Sequence, residues 1–329
     1  MKRTAFLLII PLLFNSCGGK RLNFDKGIIP PVPVNFSRVN STYDDYNSML
    51  HISWSESNFT LIFSTNRNSP AIGFDFICYG GNIVFDLIDG EFTMNAQWKE
   101  NSLVEAVNST SNEFGPYFTA DYPEYFPYKE AAEERFFYCS DPEGNLDIYC
   151  CKYELGDGVF TPLGDPFPLT ALNTDDNEGY LSVHSGSPSA NRETVYFMSD
   201  RGGSFDIWSA TGEEGKLINE SSAVTVTNVP EVSSSADDKC PFICGNLMVF
   251  ASDRAGGHGG FDLWYSVYSS QGWSAPVNMG DDINTEYDEY RPMVVSTGEW
   301  FINDLMIFSS SRPGGRGGFD LYYVGIPKR

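Results

Sequence analysis

Basic residues are scarce in this chain of 329 residues: 21 Lys and Arg stand against 44 Asp and Glu, for a formal charge of −23. That balance argues against nucleic acid as a partner and against electrostatic docking to anionic lipid. Histidine is rarer still, with only His51, His184 and His258. No His-Glu-x2-His motif and no nucleophile elbow occurs. No Cys-x2-Cys pair exists, which argues against a zinc site. Acidic pairs such as Asp288-Glu289 invite calcium, but their spacing matches no calcium loop. No metal and no cofactor is therefore expected. Helical periodicity is scarce, whereas aromatic residues make up 15% of the chain, which favours an all-β fold.

Residues 1–16 read as an export signal. Lys2 and Arg3 precede a short apolar run, Ala5 to Phe14, that is too short to span a bilayer. Phe14-Asn15-Ser16-Cys17 resembles the lipobox of bacterial lipoproteins, which implies that Cys17 carries lipid and anchors the chain to a membrane. Residues 17–32 then read as a tether, stiffened at its end by Pro30-Pro31-Val32-Pro33. Lys20 and Arg21 differ from the acidic surface-export signals of Bacteroidetes-type lipoproteins, so the periplasmic face of the outer membrane is the favoured location. Six further cysteines, 78, 139, 150, 151, 240 and 244, allow 15 pairings, among which the sequence does not choose.

The remaining residues, 33–329, are built from one repeated unit. Phe205-Asp206-Ile207-Trp208, Phe261-Asp262-Leu263-Trp264 and Phe319-Asp320-Leu321-Tyr322 are clear copies of one motif. Phe74-Asp75-Phe76 and Leu146-Asp147-Ile148-Tyr149 are weaker ones. The aspartates lie 72, 59, 56 and 58 residues apart, a period that signals a ring or array. A second motif runs in step: Asn284-Thr285-x2-Asp288-Glu289 recurs as Asn108-Ser109-x2-Asn112-Glu113, Asn173-Thr174-x2-Asn177-Glu178 and Asn40-Ser41-x2-Asp44-Asp45. Within one copy, Leu247 to Ser252 reads as a strand, Asp253 to Gly260 as a glycine-rich turn, and Phe261 to Val267 as the returning strand. Trp273 to Asn278 reads as a shorter fourth strand, and Asn284 to Pro292 as a loop into the next copy. Four antiparallel strands per unit pack radially as propeller blades.

Ser252-Asp253-Arg254 with Gly259-Gly260-Phe261-Asp262-Leu263-Trp264 resembles the TolB-type (WD-like) β-propeller repeat family, and Ser199-Asp200-Arg201 and Ser310-Ser311-Arg312 head matching copies. The resemblance covers roughly residues 33–329 and implies a propeller whose function is binding or scaffolding in the cell envelope. Closure follows from the ends. After Asp320 the last blade lacks a fourth strand, and Pro33-Val34-Asn35-Phe36 reads like the fourth strand Pro276-Val277-Asn278-Met279. The N-terminal strand is therefore expected to complete the last blade, leaving no open edge. The spacing leaves room for five blades.

The repeated Asp75, Asp147, Asp206, Asp262 and Asp320 are read as structural, bonding turn amides or pairing with Arg201, Arg254 and Arg312. The glycine hairpins and the inter-blade loops are expected to share one face, with Tyr43, Tyr46, His258, Tyr287 and Tyr290 upon it. Residues that break the repeat are the better candidates for function. Tyr117, Phe118, Tyr122, Tyr125, Phe126 and Tyr128 form a segment suited to stacking on sugar or on a partner's apolar surface, or to packing on its own blade. The long stretch Gly80–Val107 is the other. The favoured expectation is a non-catalytic envelope lipoprotein that binds a protein or glycan partner. The alternative is a glycoside-active enzyme with carboxylates in the propeller funnel, since five-bladed propellers also house glycosidases.

Overall fold

Unbroken apolar runs such as Leu247–Ser252, buried at every residue, require protein on both faces. In the computed structural model they are the second strands of blades set radially about an axis. The structure describes residues 22–53, 57–68, 73–119, 134–156, 159–185, 192–213 and 224–329. Within these it is an all-β propeller of five antiparallel blades, each built on four strands.

Blade 1 runs through Asp45–Ser53, Asn58–Thr65, Asp75–Phe85 and Phe92–Trp98. The inner strands of blades 2 to 5 are Glu113–Thr119, Glu178–Ser185, Asp238–Cys244 and Glu289–Val295. They pack on one another around the axis. The third strand of every blade begins at the repeated aspartate: Asp75, Asp147, Asp206, Asp262 and Asp320. Each aspartate lies directly across the ladder from the hydroxyl residue ahead of the hairpin: Thr65, Ser140, Ser199, Ser252 and Ser310. The repeated aspartate and the hydroxyl residue are thus the two sides of one hairpin, while the Asn-Ser/Thr motif forms the loop into the next inner strand.

The ring closes as the ends require. Val34 pairs with Tyr323 and Asn35 with Tyr322, so the N-terminal strand Val34–Asn35 is the outer strand of blade 5. Phe36, almost fully buried, follows it and meets Tyr323 and Phe59 edge to face. The region read as a tether is also engaged from residue 23 onward. Asn23 and Phe24 donate to the Leu87 carbonyl, Gly27 to that of Trp300, and Ile29 is buried.

Two features differ from the strand-by-strand reading. The inner strand of blade 5 starts at Glu289, four residues before the expected Met293, because the supposed loop residues already pair with Ser309 and Ser310. A register shift follows, with Arg291 at φ 47°; Asn47, Gly115, Tyr180 and Cys240 hold the same left-handed position in the other blades. The long stretch Gly80–Val107 extends the third strand of blade 1, adds its fourth, and ends in a short helix, Ser102–Val107. Asn101 caps that helix by accepting from the amides of Leu103 and Val104. The large gap between repeats therefore holds one enlarged blade.

Candidate functional site

Each inner strand opens with an acid: Asp45, Glu113, Glu178, Asp238 and Glu289, all fully buried. The loop ahead of the strand satisfies one oxygen. The amides of Thr174, Ser234 and Thr285 donate to Glu178, Asp238 and Glu289 at 2.6, 2.6 and 2.7 Å. An arginine from the neighbouring hairpin neutralises the charge. Arg67 pairs with Asp45 at 2.5 Å, Arg201 with Glu178 at 2.9 Å, Arg312 with Glu289 at 3.0 Å, and Arg254 with Asp238. Each guanidinium also donates to a loop carbonyl and lies against an aromatic ring of its own blade, which fills the demand of a buried ion pair for further contacts. The arginines Arg201, Arg254 and Arg312 thus serve the inner-strand acids and not the third-strand aspartates.

Blade 2 breaks the pattern. Where the other hairpins read Asn-Arg, Asp-Arg or Ser-Arg, this one reads Ser140-Asp141-Pro142. Among the described residues Glu113 therefore meets no guanidinium: it accepts from Ser109 Oγ at 2.6 Å, from Ser140 Oγ at 3.5 Å and from the Ser109 backbone, and its Oε2 lacks a hydrogen-bond partner. Burial pushes its carboxyl up to about 7, and the charge of Asp75 adds to the rise, while Ser109 and Ser140 oppose it. Asp75 is partly open to solvent, and burial raises its carboxyl as well.

The repeated aspartates fall into two groups. Asp262 accepts from the amides of His258 and Gly259 and from Asn278 Nδ2; Asp320 accepts from the amides of Arg316 and Gly317 and from Asn35 Nδ2. These two brace a glycine turn against the fourth strand. A Cβ at Gly257 would stand 2.5 Å from the Asp262 carboxylate, which explains the glycine there. Asp75, Asp147 and Asp206 follow shorter or different hairpins, and desolvation raises all three carboxyls.

Above the acids, half-buried side chains form a collar around the axis, on the face where the second-to-third-strand hairpins and the inter-blade loops meet. Tyr46 stacks on Phe319 at 5.7 Å between centroids and meets Phe74 and Phe114 at 4.9 and 5.8 Å. Tyr290 meets Phe261 at 5.4 Å. Between Phe205 and Phe261 stands Lys239, whose Nζ lies 4.2 and 4.9 Å from the ring centres and pairs with Asp237 at 2.8 Å. Phe74, Phe205, Phe261 and Phe319 each immediately precede a repeated aspartate, and Tyr46, Phe114, Lys239 and Tyr290 each occupy the second position of an inner strand, so eight sequence positions converge around the axis.

Of the expected site residues, Tyr290 joins the collar, while His258 and Tyr287 are exposed on the same face. Tyr117 and Phe118 are buried in the inner strand of blade 2. The Tyr117 hydroxyl takes the Val183 amide, and Phe118 packs on Phe136 and Phe160. Tyr122, Tyr125, Phe126 and Tyr128 lie outside the described residues, as does Cys17. Cys78, Cys139, Cys150, Cys151, Cys240 and Cys244 are free thiols. Among the described residues no cluster of His, Cys, Asp and Glu is arranged to hold a metal. Sequence reading did not single out Glu113. The signal for it is the proline at 142, where the repeat elsewhere has arginine.

No family model and no curated protein matches the chain. Solved structures do. An endo-arabinase from Bacteroides thetaiotaomicron matches at TM-score 0.53 and 12% identity over 92% of this chain and 98% of its own. An α-L-arabinofuranosidase from Podospora anserina, solved with cellotriose, matches at 0.52 and 12% over 91% and 96%. A β-fructofuranosidase from Schwanniomyces occidentalis, solved with fructosyl-erythritol, matches at 0.56 and 14% over 92% of this chain but 60% of its own. Identities this low speak for the fold alone. They nevertheless correct two expectations. The TolB-type resemblance gives way to propellers of glycoside hydrolases, and with it goes the ground for expecting a non-catalytic interaction module.

Proposed function

We propose that this protein is a glycoside hydrolase that receives a sugar chain at the aromatic collar and cleaves it with Glu113 and Asp75. The observation that carries this reading is that, among the described residues, one acid in a ring of five has no guanidinium partner. Hydrolysis of a glycosidic bond needs one carboxyl that holds its proton near neutral pH and a second that is ionised. Glu113, pushed up to about 7, meets the first requirement, and the more solvent-open Asp75 beside it is the carboxyl proposed for the second. Glu113 would protonate the departing oxygen as the glycosidic C–O bond breaks, the Asp75 carboxylate would support the charge that develops on the sugar, and a water would then add to the sugar carbon and return its proton to Glu113. The rings of Tyr46, Phe74, Phe114 and Phe319 offer apolar faces suited to the C–H faces of sugars. Glu113 is fully buried next to Phe114 in sequence, and Asp75 next to Phe74, so catalysis at the collar requires the Phe74–Phe114 pair, 5.4 Å apart, to part. The names and bound sugars of the structurally similar enzymes suggest arabinans, fructans and xylans as the first panel.

The test is a panel of arabinan, fructan and xylan oligosaccharides scored for retention and for hydrolysis. Glu113→Gln and Asp75→Asn are each expected to lower hydrolysis by at least about a hundredfold while leaving retention intact. Retention without any hydrolysis by the unaltered protein sinks the proposal, as does hydrolysis indifferent to both substitutions.

We further propose that Cys17 carries a lipid that holds the protein to the outer membrane. The lipobox-like sequence supports this, and Cys17→Ala is expected to release the protein from membranes.

A further inference from the structure

Below the collar, the left-handed third position of each inner strand brings Asn47, Gly115, Tyr180, Cys240 and Arg291 around the axis. Arg291 is fully buried there. Its Nη2 donates to the Pro116 carbonyl at 3.1 Å, and its guanidinium lies over the rings of Tyr180 and Phe242, 5.5 and 5.7 Å from their centres. Its Nε and Nη1 have no partner. The four arginines of the inner-strand acids each have a carboxylate; among the described residues Arg291 has none.

The titratable groups that act on Arg291 are Cys139, Cys240, Tyr117 and Tyr180. Burial pushes both thiols up to about 12 and raises both phenols, so all four are neutral at ordinary pH. The Tyr180 hydroxyl accepts from Asn47 Nδ2 at 3.1 Å, which leaves its own hydrogen free to donate. A cation in this setting, with two N–H groups unmatched, is costly in a low-dielectric interior. A fully buried arginine with no carboxylate beside it among the described residues calls for a negative charge from outside the chain.

We infer that the propeller axis beneath the collar is a binding site for a small monovalent inorganic anion of the halide class, held by Nε and Nη1 of Arg291. A halide accepts from several donors at once and has no directional demand, which suits a guanidinium edge with a phenol nearby. A multiply charged oxyanion would bring excess charge and lose more hydration in the same place. This site is separate from the glycosidic reading, which uses Glu113 and the collar above.

The experiment is thermal unfolding of the full chain at fixed ionic strength, with sodium chloride or bromide replacing sodium gluconate. A bound anion is expected to raise Tm saturably by a few degrees, and Arg291→Met is expected to abolish the rise. Because that variant replaces a buried residue and can fail to fold, bromide-soaked crystals of the unaltered protein supply a second reading. They are expected to show an anomalous peak within hydrogen-bond distance of Nε and Nη1. Ordered water at those atoms with no bromide peak overturns the inference. So does a halide-dependent Tm that survives in Arg291→Met.

Discussion

Pro142 is the residue on which the chemistry of this molecule turns. It stands where Arg67, Arg201, Arg254 and Arg312 stand in the other blades, and its presence leaves Glu113 buried without a guanidinium. A carboxyl raised on folding from 4.5 to about 7 binds more protons in the folded chain than in the unfolded one between those values. The contribution of Glu113 to stability is therefore complete below about pH 4.5 and is lost as pH rises through 7, by about 3 kcal/mol at most. Glu113→Gln removes that loss, so its urea midpoint is expected to gain on that of the unaltered protein between pH 5 and pH 8. Pro142→Arg is expected to do the same by a different route, restoring the pair and bringing the carboxyl down. In the glycan assay it should also cost activity at neutral pH, because the proton is no longer held. Parallel midpoints for all three proteins across that pH range would show that Glu113 is not the perturbed group.

The strand that closes the ring contributes two ladder residues, so its hold on blade 5 rests on side chains. Phe36 is the chief of these, with Asn35 and Asn40 bonding to Asp320 and Leu321. Phe36→Ala is expected to lower stability by roughly 3–5 kcal/mol in urea unfolding; a loss below about 1 kcal/mol would show that closure is held elsewhere. Closure itself was legible in the sequence, because Pro33 to Phe36 repeats the pattern of an outer strand and the last blade lacks one. So were the hairpins, since both motifs occur in step. The partners of the arginines were not legible. Each blade offers each arginine two acids, the third-strand aspartate and the inner-strand acid, and only the twist of the hairpin decides between them. The collar was half legible: Tyr46 and Tyr290 fall on the expected face, but Phe74, Phe261 and Phe319 read as part of a structural stamp. Their rings turn to the axis because the aspartate that follows each of them begins the third strand, and alternation sends the preceding side chain the other way.

At the scale of the whole molecule, the collar and the N-terminal segment occupy opposite faces of the disc. Residues 23–27 bond to Leu87, Ile88 and Trp300, in the third-to-fourth-strand turn of blade 1 and the first-to-second-strand turn of blade 5. Both turns lie on the face away from the collar. With Cys17 as the lipid-bearing residue, five residue steps separate it from Leu22, a reach of about 17 Å at full extension. An eight-residue strand alone spans about 26 Å, so the lipid cannot be carried round to the collar side. The bilayer must then meet the face bearing Leu22, Trp300 and Ile302, which are exposed apolar side chains next to the anchored segment and suited to the interfacial zone. Anchored in that way, the collar would look away from the membrane, toward a soluble polymer. Quenching by brominated lipid in reconstituted vesicles tests this. Trp300 emission is expected to be quenched, as the loss of that component in Trp300→Phe would show. A tryptophan placed at the exposed Tyr287, on the collar face, should not be quenched. Failure of the unaltered protein to float with vesicles would refute the lipid anchor itself. Flotation with the signals reversed, Tyr287→Trp quenched and Trp300 not, would leave the anchor standing and refute the orientation.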